Sequence, residues 1–70
     1  MELTAVLTHA EEGGFVALNP ETGTTTQGES VEDAVANLKE ATAPYLEEFP
    51  LAVVGHPVIT MFTLPASAHA

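Results

Sequence analysis

Apolar positions along this chain follow two different periods, and the change of period marks out its elements. From Glu2 to Thr8 the period is two, with Leu3, Ala5 and Leu7 on one face and Thr4, Val6 and Thr8 on the other. That pattern predicts a strand. Glu11-Glu12-Gly13-Gly14 follows, and adjacent glycines suit a hairpin loop because they reach positive φ without strain. Phe15–Asn19 is a second short apolar strand. Asn19-Pro20-Glu21-Thr22-Gly23 has the chemistry of a turn: proline presets φ, and glycine takes the left-handed position. Thr24–Gln27 is β-branched and polar, as expected of a third strand with a modest buried face.

At Ser30 the period changes to that of a helix. The Ser30 hydroxyl is placed to cap a helix by accepting an amide hydrogen from Glu32 or Asp33, and both acids favour the positive end of the helix dipole. Val31, Ala34, Val35, Leu38, Ala41, Thr42, Tyr45, Leu46 and Phe49 then recur at steps of three and four. They predict one stripe facing a sheet. Pro44 interrupts the pattern. It has no amide for the Glu40 carbonyl, so a kink or a distorted last turn is expected there. Pro50 ends the helix.

Leu51–Val54 reads as an apolar connector and Gly55-His56-Pro57 as a turn. Val58 to Leu64 alternates again, but with apolar residues on both faces. Such a strand is expected to be central or buried against a second subunit. Pro65 stops it. The predicted order is β-β-β-α-β, an α+β fold with a mostly antiparallel sheet and one helix packed on one face. Residues 1–65 are read as a single domain and 66–70 as a flexible tail.

Composition narrows the function. Ten Asp and Glu stand against one basic residue, Lys39, for a formal net charge of −9. That field repels phosphate, and nucleic-acid binding needs lysine and arginine to displace counterions. No direct nucleic-acid binding is expected, and none to anionic membranes. The charge complement is a basic protein. Seventy residues bury only about 60% of the surface that the unfolded chain exposes. With no cysteine to form a disulfide, a homodimer or higher homo-oligomer is the expected source of further stability. The amino terminus has no signal-peptide pattern, and the chain reads as cytoplasmic.

Catalytic motifs are scarce. No nucleophile elbow and no phosphate loop occurs. His9, His56 and His69 are far apart, without metal-ligand spacing. The acidic pairs Glu11-Glu12, Glu32-Asp33 and Glu47-Glu48 are neighbours in sequence, and adjacent residues do not converge on a helix or strand. The residues predict no enzyme, no metal and no cofactor.

Gly14-Phe15-Val16-Ala17, Pro20-Glu21, Gly23, Gln27-Gly28-Glu29-Ser30, Glu32-x-Ala34, Asn37-Leu38 and Glu40-Ala41 together resemble the HicB family of antitoxins. The likeness covers about half of the chain. The Gln-Gly-Glu-Ser step into a capped helix, with Asn37 and Glu40 at the family's offsets, is its most specific part. The chain departs from the family pattern in a loop one residue shorter between Pro20 and Gly28, in Thr24 where cysteine is common, and in Pro44.

The resemblance implies a partial RNase H-like fold, in keeping with the order read from the pattern. It implies an antitoxin of a type II toxin-antitoxin system that binds and neutralises a small basic HicA-type toxin, which cleaves messenger RNA. It does not imply RNase H-like catalysis. Many relatives carry a carboxyl-terminal DNA-binding segment, whereas Leu51–Ala70 has no basic residue, so a short form without that segment is expected. The alternative is an orphan HicB-like oligomeric scaffold or accessory module with no toxin partner. By charge, the expected partner-binding residues are Glu29, Glu32, Asp33, Glu40, Glu47 and Glu48. The expected oligomer interface is Val58, Ile59, Thr60, Met61 and Phe62.

Overall fold

The computed structural model describes residues 1–51 and 56–66. Three strands come first: β1 (Val6–His9), β2 (Phe15–Asn19) and β3 (Thr24–Gly28). They form an antiparallel sheet in the order β1-β2-β3. The first hairpin pairs Val6 with Leu18 and His9 with Phe15. Its loop closes through Ala10 N–H to the Gly14 carbonyl at 3.0 Å and Gly13 N–H to the Ala10 carbonyl at 3.1 Å. Gly13 and Gly14 both take positive φ, at 101° and 81°, which is the conformation that the adjacent glycines allow. The second hairpin pairs Asn19 with Thr24 and Phe15 with Gly28.

Helix α1 (Val31–Glu48) packs across one face of this sheet. Ser30 is its N-cap. The Ser30 side chain, on an extended backbone, accepts the Asp33 N–H at 3.1 Å. The helix runs through Pro44 for a further turn and closes with Phe49 N–H on the Tyr45 carbonyl at 2.8 Å. An α+β arrangement of three antiparallel strands followed by one covering helix is therefore what the chain builds.

The core is thin and made of small residues. Ala17 on β2 and Ala34 on α1 are fully buried, Leu38 nearly so, and Leu7 and Phe15 pack against them. Small side chains let the helix sit close to the sheet. At Gly28 the approach is closest: a Cβ there would overlap the Ala34 amide nitrogen and lie 2.7 Å from the Asp33 carbonyl carbon. Two polar bonds hold the same seam. Thr26 Oγ1 donates to the Ala34 carbonyl at 2.9 Å, and Asn37 Nδ2 donates to the Gln27 carbonyl at 2.7 Å. The helix thus lies mainly over β3 and β2.

Three sequence-based expectations change. The first strand is shorter than Glu2–Thr8, beginning at Val6, because Thr4 bonds to a turn instead of a neighbouring strand. The helix stripe is not covered to its end: Tyr45 and Phe49 remain 40% and 61% exposed, stacked on each other at 5.1 Å. An 18-residue helix is about 27 Å long and overhangs five-residue strands of roughly 17 Å.

The third change is the largest. Val58–Leu64, expected as a fourth strand, pairs with nothing in the sheet, and the described fold is β-β-β-α. Val58, Met61 and Phe62 are 93%, 94% and 83% exposed. A strand needs a partner edge for its amides and carbonyls, and among the described residues this segment takes none. The connector at 52–54, Gly55 of the turn, and 67–70 of the tail lie outside the described residues.

Candidate functional site

The charged face of α1 follows from helix geometry. At about 100° per residue, Glu32, Asp33, Glu40 and Glu47 fall within roughly a third of the helix circumference. Ala34, Leu38 and Thr42, the buried residues of α1, fall on the opposite side. All five helix acids named by charge, Glu48 included on the flank of this face, are exposed. From Glu32 to Glu47 the row is about 22 Å long. Glu32 and Asp33 lie in the first turn, where the dipole favours them, while the last turn has no basic residue to offset Glu47 and Glu48.

Glu29 is exposed just before the cap. It lines a shallow hollow with Glu12, Gly14 and Gln27 at the mouth of the first hairpin. The fold thereby brings Glu12 and Glu29 to one hollow, a proximity that reading along the chain does not reveal. The signal was there in the pairing of Phe15 with Gly28, which the two hairpins impose.

Sequence reasoning also missed a polar knot at the other end of the sheet. Asn19 is almost fully buried. Its Nδ2 donates to the Thr4 carbonyl at 2.8 Å and to Glu21 Oε1 at 2.6 Å, and its Oδ1 accepts the Thr22 N–H at 2.9 Å. Glu21 in turn accepts the Thr4 N–H at 3.0 Å and the Thr4 hydroxyl at 2.7 Å. Its side chain is only 4% exposed. The Thr4 amide, with the Thr4 hydroxyl next, holds the carboxyl at about 2 against the opposing cost of burial. The Asn-Pro-Glu-Thr-Gly stretch announces a turn, but it does not announce that Asn19 and Glu21 clamp the amino-terminal stretch.

His56 reaches this knot from the far end of the chain. Its Nδ1 lies 3.8 Å from Glu21 Oε2, and its Nε2 lies 3.8 Å from Glu2 Oε1. His9 stacks on Phe15 at 4.7 Å between ring centroids, and His69 lies outside the described residues. Among the described residues no three His, Asp or Glu side chains come together in a way that would hold a metal ion.

An apolar cavity of about 190 Å³ lies between α1 and the stretch leading into β1, lined chiefly by Leu3, Ala5, Val35 and Leu38. Val58, Ile59, Thr60, Met61 and Phe62 are all exposed and meet neither this cavity nor the acidic face. No helix among the described residues is long and apolar enough to cross a membrane. Compared with protein-family models, with curated proteins and with solved structures, the chain matches none.

Proposed function

We propose that this chain is an antitoxin-like protein-binding module, not an enzyme, whose partner is a small basic HicA-type toxin that cleaves messenger RNA. One observation carries the reading: α1 has a row of carboxylates along the side away from the sheet, in a chain whose only lysine or arginine is Lys39. Lys39 flanks this row, but the field along the helix is predominantly negative, and such a field steers a partner of opposite charge and fixes its register. The likeness to the HicB pattern gives that partner its class. The residues behind the likeness also have structural work in this fold: Gly28 admits the helix, Ser30 caps it and Asn37 ties it to β3.

The test is direct. The chain is mixed with a purified HicA-type toxin from a basic reading frame beside its own, and both messenger RNA cleavage and association rate are followed. Cleavage should stop at stoichiometric protein, and association should slow as salt rises. Replacing Glu32, Glu40 and Glu47 together by lysine should slow association about tenfold or more. A toxin that ignores the chain, or an association rate indifferent to salt, overturns the proposal. The second reading, an oligomeric scaffold with no toxin, is favoured by the uncovered Val58–Leu64 segment. It would hold if no such reading frame or toxin binding exists while the protein self-associates.

A further inference from the structure

Two features of this chain are incomplete in complementary ways. The first is the free edge of β1. In the order β1-β2-β3, β1 has a hydrogen-bonded neighbour on one side only. α1 lies mainly over β3 and β2, and its Val35 and Leu38 line an apolar cavity together with Leu3 and Ala5 of the stretch leading into β1. The other sheet edge is unlike it: β3 is Thr24-Thr25-Thr26-Gln27-Gly28, polar along its length.

The second feature is the segment Val58–Leu64. It has five large apolar side chains, at 58, 59, 61, 62 and 64, all exposed. Its root lies near the stretch leading into β1, with His56 3.8 Å from Glu2 and from Glu21. Pro57 keeps the residue before it extended, and the segment beyond stands away from the packed unit. The radius of gyration is 14.7 Å, against about 11 Å for a compact domain of this length. An apolar arm of this kind beside an unpaired edge is the arrangement that swaps between copies.

We propose that Val58–Leu64 is an exchanged strand: in a two-fold dimer, the arm of each copy pairs along the free β1 edge of the other, and Phe62 enters the apolar cavity. The cavity, at about 190 Å³, exceeds the roughly 150 Å³ that accommodates a benzene ring. Five apolar side chains given and five received bring each copy close to the roughly 800 Å² of a standard stable interface. The alternation also fits. One face of the arm meets the cavity and α1, and the other joins Val6, Val16 and Leu18 on the face of the sheet that α1 leaves uncovered. This surface lies apart from the acidic face of α1, so the dimer and the toxin reading stand or fall separately.

The test is the mass of the full chain in solution, by sedimentation equilibrium, with amide exchange on the same samples. A dimer is expected, with the 58–64 amides protected. Phe62→Glu blocks the cavity contact, and Thr60→Pro interrupts strand pairing while leaving the three-stranded unit untouched. Each should give a monomer whose helix signal in circular dichroism is retained and whose 58–64 amides exchange freely. A wild-type monomer up to millimolar concentration overturns the proposal. So does a wild-type dimer with unprotected 58–64 amides, because another surface then holds it. Protection of those amides in a monomer would place the arm on its own β1 edge and overturn it as well.

Discussion

At the seam between β3 and α1, backbone meets backbone: Gly28 leaves no room for a side chain, Thr26 and Asn37 bond across the gap, and Ser30 caps the helix beside it. On the β1 flank of the same sheet, by contrast, an edge lies open, an apolar cavity is unfilled and five large apolar side chains at 58–64 face solvent. Both regions contain a segment that reads in sequence as a strand. The difference is where each finds its partner. β3 and α1 are neighbours in the chain and complete each other, at little loop-closure cost. The arm is separated from β1 by the whole sheet and helix, and its apolar surface is left exposed among the described residues, where the proposed second copy covers it. Completeness in a small fold is thus local, and the incomplete side is where association is expected.

The strongest way to break this contrast is at Gly28. A methyl group there meets the main chain of Asp33 and Ala34, which cannot rotate away as a flexible side chain would. The helix must lift from the sheet and lose Ala17, Ala34 and Leu38 from the core. Overpacking of this kind costs about 3 kcal/mol or more, a large part of the stability of a domain this small. Gly28→Ala should therefore abolish cooperative thermal melting or leave it only at low temperature. Gly13→Ala is the control. With φ at 101° but nothing within 4 Å, it carries backbone strain alone, of about 1–2 kcal/mol, and should keep a cooperative melt. A Gly28→Ala protein as stable as the parent would mean that the seam is not the tight region.

How far the sequence alone discloses this molecule depends on the range of the interaction. Ser30 and its cap, the glycine loop and the helix itself are set by residues within a few positions of each other, and all three appear where the pattern places them, whereas the stripe is covered only along Ala34, Leu38 and Thr42. The Asn19–Glu21–Thr4 knot is not disclosed, because Thr4 and Glu21 are 17 residues apart and both look like ordinary surface residues. The acids of α1 are legible as a face, since periodicity fixes which way they project. That Glu12 and Glu29 line one hollow is legible only once strand register is known. Val58–Leu64 shows the limit from the other side: alternation announces a strand-forming segment, but it does not say on whose edge the strand forms.

The knot offers a milder break, through pH. Glu21 is held at about 2 in the folded chain against an ordinary 4.5, so the folded state favours its charged form. Its contribution to stability is complete above the ordinary value and is lost as pH falls from there toward 2. Melting temperatures of the parent and of Glu21→Gln should differ most near neutral pH. The gap should shrink between roughly pH 5 and pH 2. The comparison cancels the general easing of self-repulsion that acid brings to a chain of net charge −9. A gap that stays constant through this range would show that the Thr4 amide and hydroxyl do not favour the charged carboxylate.

The smallest effect, at Ser30, sharpens the comparison most cleanly. Its hydroxyl satisfies the backbone amide of Asp33 at the start of α1 and bonds to no carboxylate of the acidic row. Ser30→Ala should cost about 1 kcal/mol, seen as a fall of roughly 4–8 °C in Tm for a domain of this size, and Ser30→Asp should restore it. Because the cap belongs to the seam, the loss should fall on the unfolding of the sheet and helix together, with the dimer's mass at room temperature unchanged. If Ser30→Ala instead released the dimer while α1 stayed folded, the seam and the open flank would be coupled through the helix. The division between a self-sufficient side and a partner-seeking side would then be wrong.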